Sequence, residues 1–97
     1  MTKQNTILIV DDSQTLRTVL GKVLINDGYN IIEADSGITG IAAAEANPHI
    51  DLVITDLNMP GMDGITMVEG FRAKDALKHL PVMILSNESS VELKGKA

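Results

Sequence analysis

The 97-residue sequence contains no cysteine, only two aromatic residues, and fewer basic than acidic side chains. Without cysteine the chain forms neither disulfides nor thiolate metal sites. With Tyr29 and Phe71 as its aromatic residues, it lacks the stacking platforms that bind single-stranded nucleic acids. Eight Lys and Arg against 13 Asp and Glu give a net charge of −5, so a basic surface for phosphate backbones is also missing. These absences argue against direct binding of nucleic acid.

Long hydrophobic runs are absent as well. No apolar segment approaches the roughly 20 residues that a membrane-spanning helix needs, and residues 1–6 do not resemble a signal peptide. We therefore expect a cytoplasmic protein that does not contact the membrane. Hydrophobic residues make up 44% of the chain and charged residues 22%, which excludes wholesale disorder. At this length we expect one domain that covers residues 1–97.

The sequence does contain a regular alternation of strand and helix signals. Short apolar runs, such as Ile7–Val10, predict strands that are buried on both faces. The predicted strands are Ile7–Val10, Tyr29–Ala34, Leu52–Asp56 and Pro81–Leu85. The predicted helices are Ser13–Asp27, Ile38–Ala46, one that begins near Asp63 and Gly64, and a fourth over Glu88–Ala97. This order predicts an α/β fold, a doubly wound parallel sheet with helices on both faces.

Helical periodicity also predicts which side chains face the core. The first predicted helix carries apolar residues at i, i+3, i+4, i+7 and i+8, the pattern of an amphipathic helix. These residues are Leu16, Val19, Leu20, Val23 and Leu24. Arg17 and Lys22 fall outside this stripe and are expected to be solvated. In the third helix, Ile65, Val68 and Phe71 are expected to face the core, with Met67 at its margin.

Polar side chains follow three of the predicted strands. Asp11 and Asp12 come directly after the first strand, Asp56 ends the third, and Ser86 follows the fourth. If the first and third strands are neighbours, the carboxylates converge at the carboxyl edge of the sheet, where α/β proteins bind ligands. Carboxylates that lie so close together raise one another's pKa unless a cation binds. Hard oxygen ligands suit Mg²⁺. A carboxylate beside Mg²⁺ can form an aspartyl phosphate.

Three segments in this order, Ile7–Ser13, Asp56–Gly64 and Leu80–Ser86, resemble the motifs of receiver domains of two-component response regulators, of the single-domain chemotaxis type. The resemblance extends over essentially the whole chain and implies a flavodoxin-like fold. It implies a phosphoacceptor signalling module that takes phosphate from a sensor histidine kinase and acts on a downstream target. Such a module is not an enzyme, although it assists its own phosphorylation and dephosphorylation. Asp56 resembles the phosphoacceptor, which also contacts the metal.

The resemblance implies roles for five further residues. Asp11 and Asp12 resemble the acidic pair that holds Mg²⁺, and the backbone carbonyl of Asn58 resembles a further ligand. Ser86 resembles the switch hydroxyl that moves toward the phosphoryl group. Asn58 and Glu88 occupy positions that tune the lifetime of the phosphate.

The sequence departs from the family at its carboxyl end. Receiver domains have a fifth strand that ends in a Lys-Pro pair, and a fifth helix, whereas this sequence has about four βα units. The Lys would donate a charge-assisted hydrogen bond worth about 1.5–3 kcal/mol, so phosphoryl binding is expected to weaken. The fourth strand is then expected to be an uncovered edge through which the chain forms homo-oligomers.

Two other functions are compatible with parts of this pattern. A haloacid-dehalogenase-like phosphatase also places a nucleophilic Asp at a strand end. That class needs a second Asp two residues later, where this sequence has Asn58. The other alternative is a truncated receiver that acts as a phosphorylation-independent interaction or self-association module.

Overall fold

A four-stranded parallel sheet forms the centre of the computed structural model, which describes residues 4–85. The strands are β1 (Thr6–Val10), β2 (Asn30–Ala34), β3 (Leu52–Asp56) and β4 (Val82–Leu85). The helices are α1 (Gln14–Asn26), α2 (Gly37–Ala46) and α3 (Gly64–Arg72). None of these three helices has the length and hydropathy of a membrane span. The predicted fourth helix, Ser86 and Glu88 lie outside the described residues.

The strand order β2-β1-β3-β4 makes β1 and β3 neighbours at the centre of the sheet. All neighbouring strands are parallel, and Val10 of β1 pairs with Thr55 of β3. The carboxyl ends of β1 and β3 are therefore level, so that Asp11 and Asp56 follow at equivalent positions. The predicted doubly wound α/β fold is confirmed.

Alternate residues of the strands pack into two hydrophobic clusters, one on each face of the sheet. On one face Leu8 and Val53 contact a cluster that includes Met67 and Phe71 of α3 and Ala44 of α2. On the other face a smaller cluster joins the sheet to α1; it contains Ile7, Ile9 and Ile54, with Leu20 and Leu24 packed against them. The period of two along each strand therefore sorts the core between the helices on the two faces.

The helix faces depart from the predictions in two places. In α1 the stripe is only partly buried, since Leu16, Val19 and Val23 remain 52%, 57% and 54% exposed. Within the stripe, Leu20 and Leu24 are the residues that pack against the sheet. In α3, Met67 is fully buried and Ile65 is 48% exposed, the reverse of the prediction. Met67 and Phe71, four residues apart, share one face, whereas Ile65 is about 200° away from Met67 at 100° per residue.

Each of the three described helices begins with a capping side chain, and these caps fix the loops at the carboxyl edge of the sheet. The Ser13 hydroxyl accepts the Leu16 N–H at 3.2 Å, and the Asp63 carboxylate accepts the Thr66 N–H at 2.8 Å. Ser36 forms a capping box with Thr39 at the start of α2. Each cap satisfies one of the backbone N–H groups at its helix start, and each loop enters its helix in a defined direction.

Candidate functional site

Three carboxylates meet at the carboxyl edge of the sheet. Oxygen atoms of Asp11, Asp12 and Asp56 all lie within 4.8 Å of one another. Asp11 and Asp56 are half-buried, and Asp12 is exposed. Among the residues that the structure describes, this is the one group of three acidic or histidine side chains close enough to share a metal ion.

Asp11 is held in place by three hydrogen bonds. Its N–H donates to the Ala34 carbonyl at 3.1 Å, which extends the pairing of β1 with β2 by one residue. Its carboxylate accepts the N–H of Ser13 at 2.8 Å. Its backbone carbonyl accepts a hydrogen bond from the guanidinium of Arg17. The main chain and the carboxylate of Asp11 are therefore both fixed by neighbouring elements.

The surroundings of Asp11 raise its pKa above the ordinary value of an aspartate. The largest cause is burial, which disfavours the charged form, and the negative charges of Asp56 and Asp12 act in the same direction. The hydrogen bond from the Ser13 N–H opposes this rise, because it favours the carboxylate. The carboxylates of such a cluster repel one another, and a bound cation would reduce this repulsion.

Asp56 lies where β3 ends against the start of α3. The Thr55 hydroxyl donates to the Asp56 carbonyl at 3.0 Å, and the Gly64 N–H donates to the Leu57 carbonyl at 2.8 Å. A Cβ at Gly64 would lie 2.6 Å from the Asp56 carbonyl oxygen, closer than any real contact. Only glycine allows α3 to approach the end of β3 this closely.

The loop between Asp56 and α3 is anchored by two methionines. Met59 is buried in the larger cluster, and Met62 packs against the same cluster at its margin. Met62 also lies against Gly37 at the start of α2, where an added Cβ would come within 2.7 Å of its sulfur. Asn58 is exposed directly before Met59, two residues after Asp56. Its proposed roles stay predictions.

A groove of about 320 Å³ leads away from the acids along α1. Asp11 and Asp56 line its acidic end. Its remaining walls are apolar and consist of Ile9, Leu16, Val19, Leu20, Val23 and Leu85. The site is therefore open on the side of the sheet where α1 is only partly buried.

The donor set suits a hard divalent cation. Asp11, Asp12 and Asp56 supply carboxylate oxygens, and the exposure of Asp12 leaves room for water in the coordination shell. Mg²⁺ prefers oxygen ligands and keeps several waters, whereas Zn²⁺ prefers nitrogen and sulfur donors, which this cluster does not provide.

Sequence reasoning missed Arg17. We expected this side chain to be solvated, but it is only 14% exposed and pairs with Glu33 at 2.9 Å. The prediction was wrong because Arg17 bends from α1 toward the carboxyl end of β2 rather than into water. A lone basic residue one turn after an acidic pair was the available signal, but its partner is visible only once β2 is known to lie beside β1.

Comparisons with known proteins agree with this geometry. The sequence profile of the response regulator receiver domain matches residues 7–97. The chemotaxis protein CheY-3 of Vibrio cholerae is 41% identical over 93 residues, which cover 95% of this chain and 71% of that protein. The solved structure of CheY4 from Vibrio cholerae has a TM-score of 0.86 at 32% identity, over 97% of this chain and 78% of that one.

A third similar protein was solved in a complex. A chain of the CheX–CheY complex from Borrelia burgdorferi, which contains BeF3 and Mg²⁺, has a TM-score of 0.82 at 33% identity. The similarity covers 92% of this chain and 66% of that one.

Proposed function

Since this chain belongs to the response regulator receiver family and is a phosphoacceptor signalling module of two-component systems, we propose that Asp56 receives the phosphoryl group. The observation that carries the proposal is the convergence of Asp11, Asp12 and Asp56 within 4.8 Å at the carboxyl edge of the sheet. Asp56 is the member of this group that ends a central strand, where the open groove reaches it.

The hydrogen bonds favour Asp56 over Asp11 as the nucleophile. An oxygen of Asp11 is occupied by the Ser13 N–H, and burial raises the pKa of this carboxyl above its ordinary value. Within residues 4–85 no hydrogen bond occupies the carboxylate of Asp56. Its oxygen is free to attack phosphorus: an O–P bond forms as the P–N bond of a phosphohistidine breaks, and the departing imidazole takes up a proton.

We propose Mg²⁺ as the cation of this site, held by the carboxylates of Asp11, Asp12 and Asp56 and by the backbone carbonyl of Asn58. When bound, it would offset part of the negative charge of the acids and of the phosphoryl oxygens. Asp11 then keeps its charged form with less cost, because an opposite charge lowers a carboxylate pKa. The Mg²⁺ in the CheX–CheY complex from Borrelia burgdorferi supports this assignment. Such a module assists its own phosphorylation and dephosphorylation without acting on an outside substrate.

The partners follow from the same proposal. A sensor histidine kinase supplies the phosphoryl group in the cytoplasm, and the phosphorylated chain acts on another signalling protein, as the complex of CheY with CheX illustrates for a similar protein. Ser86 is proposed as the switch hydroxyl, and Asn58 and Glu88 as residues that set the lifetime of the phosphate.

We also propose that a second copy of the chain is a partner. Leu16, Val19 and Val23 of α1 are exposed beside Met83 and Leu85 of β4, and within residues 4–85 β4 pairs with β3 alone. An apolar strand edge next to an apolar helix face favours association with a like surface. Homo-oligomers through this region follow.

The test of the phosphoacceptor is the intact mass of the chain after incubation with Mg²⁺ and acetyl phosphate. We expect the wild type to gain one phosphoryl group that hydroxylamine removes, and the Asp56→Asn variant to gain none. Asp51→Asn is the matched control, because Asp51 is a half-buried aspartate at the opposite end of β3 whose carboxylate accepts the Thr6 N–H. Equal labelling of Asp56→Asn and Asp51→Asn would show that the nucleophile lies elsewhere.

A further inference from the structure

We propose that Arg17 is a positioning residue of the acid cluster, one that holds the peptide between Asp11 and Asp12 in the orientation that a divalent cation requires. The inference rests on the proposed function of this cluster, and it gives Arg17 a role that touches neither the cation nor the phosphoryl group.

The contacts of Arg17 are unusual for a basic residue on an amphipathic helix. Its side chain is 14% exposed and carries two separate interactions. Nε donates to the carboxylate of Glu33 at 2.9 Å, and Nη1 donates to the backbone carbonyl of Asp11. The Arg17 N–H also donates to the Ser13 carbonyl at 3.1 Å, in the first turn of α1. Arg17 thereby joins α1, the end of β1 and the end of β2.

The hydrogen bond from Arg17 to the Asp11 carbonyl fixes the position of more than one atom. The peptide unit is planar, so a fixed carbonyl oxygen of Asp11 also fixes the backbone nitrogen of Asp12. The Asp11 N–H is already bound to Ala34, and the Asp11 carboxylate to the Ser13 N–H. With the carbonyl bound as well, neither soft dihedral of Asp11 can turn without the loss of a hydrogen bond. Both members of the acidic pair are oriented together.

The chemistry of the guanidinium suits this task better than that of an ammonium. Arg17 uses two nitrogens of one rigid plane to reach two acceptors in different directions, whereas lysine has a single nitrogen on a flexible stem. The charge of Glu33 offsets that of the guanidinium, so the pair adds no net positive charge beside a cation site. Support of this kind for metal ligands typically contributes about 10–100-fold in metal affinity.

The experiment compares Mg²⁺ affinity, by isothermal titration, with the free energy of unfolding in urea. Arg17→Gln is expected to bind Mg²⁺ at least about tenfold more weakly than the wild type. Arg17→Lys is expected not to restore the affinity, although it keeps the charge. Glu33→Ala changes an exposed side chain that anchors the guanidinium, and it is also expected to weaken Mg²⁺ binding. This variant therefore tests the proposal if Arg17→Gln does not fold.

Arg72→Gln is the matched control. Arg72 also donates from Nη1 to backbone carbonyls, those of Lys78 at 3.0 Å and Leu80 at 2.8 Å, but it lies at the end of α3, where the chain runs toward the amino end of β4. Its loss is expected to lower stability and to leave Mg²⁺ affinity unchanged. Equal Mg²⁺ affinity of wild type and Arg17→Gln would overturn the positioning role while the proposed function stands. A wild type that binds no Mg²⁺ would overturn both.

Discussion

At the scale of single residues, the acid cluster brings together carboxylates that repel one another. The three carboxylates approach within 4.8 Å, and the one that is held most firmly, Asp11, has the raised pKa. The backbone bonds of Asp11 keep it in the cluster in spite of this repulsion. The fold therefore keeps three like charges close together at a cost in stability, which is common where function and stability compete.

Because the pKa of Asp11 is raised in the folded state, the free energy of unfolding depends on pH, and the direction of this dependence is known. An acid whose folded pKa is raised binds its proton more tightly in the folded state. Its stabilising contribution is therefore complete below the unfolded pKa and is lost as pH rises through the folded pKa. Above its folded pKa, the charged Asp11 carboxylate therefore lowers the stability of the fold relative to the protonated form.

We predict that Asp11→Asn, which keeps an oxygen to accept the Ser13 N–H, melts at a higher temperature than the wild type at neutral pH without Mg²⁺. The difference should shrink as pH falls through the raised pKa of Asp11 toward the ordinary value of aspartate, and should be smallest below that value. Thermal melts followed by circular dichroism over a pH series measure both effects. Asp75→Asn, at a fully exposed side chain, is the control and should change little. A lower melting temperature for Asp11→Asn at neutral pH contradicts the prediction.

At the scale of elements, the position of α3 depends on one glycine. Gly64 begins the helix at a point where a Cβ would lie 2.6 Å from the Asp56 carbonyl oxygen and 3.3 Å from the Leu57 Cα. Both contacts are with backbone, which cannot rotate away as a long side chain can. A larger residue there must displace α3 or the end of β3.

We predict that Gly64→Ala lowers the free energy of unfolding by about 1–3 kcal/mol, the usual cost of overpacking. It should also slow the proposed phosphorylation of Asp56, because the strand end that carries this residue shifts. Gly21→Ala is the control: Gly21 lies inside α1, and an added methyl would meet only Ile31 at 3.9 Å. That change should stabilise by about 0.5–1 kcal/mol, since alanine favours helices more than glycine does. Urea unfolding of both variants decides the matter, and equal effects would refute the steric argument.

The elements also show what sequence reasoning can and cannot determine. Strands such as Ile7–Val10 were predictable because burial on both faces leaves an uninterrupted apolar run, and Asp56 stood out as a charge at the end of such a run. Helix faces were less predictable. Periodicity defines an apolar stripe on α1, but the neighbours that cover it depend on the tertiary arrangement, so Leu16 is exposed. The pairing of Arg17 with Glu33 likewise required the strand order.

At the scale of the whole molecule, the two faces of the sheet differ in how well they are covered. The face with α2 and α3 holds the larger cluster, and the face with α1 holds the smaller one. The exposed apolar residues of α1 and β4 lie on or beside the thinly covered face.

We predict that the 97-residue chain forms dimers or larger assemblies at low micromolar concentration, measured by sedimentation velocity. Val19→Lys places a charge on the apolar side of α1 and should shift the chain toward the monomer. Ile38→Lys is the control, because Ile38 is an equally prominent apolar residue, 67% exposed, at the start of α2. A wild type that sediments as a monomer and melts cooperatively would show that this surface needs no partner.

The backbone of β1 is expected to open on a slower timescale than that of β4, because β1 lies at the centre of the sheet. All five residues of β1 are buried and pair with β2, and four of them also pair with β3, whereas β4 alternates between half-buried and exposed residues. Amide hydrogens of β1 should exchange with deuterium only through global unfolding, and those of β4 through cheaper local opening. Exchange followed by mass spectrometry should therefore label Val82–Leu85 long before Thr6–Val10. Asp11 is thus attached to the described strand that is expected to open least. β4, which lines the far wall of the groove, is expected to open locally.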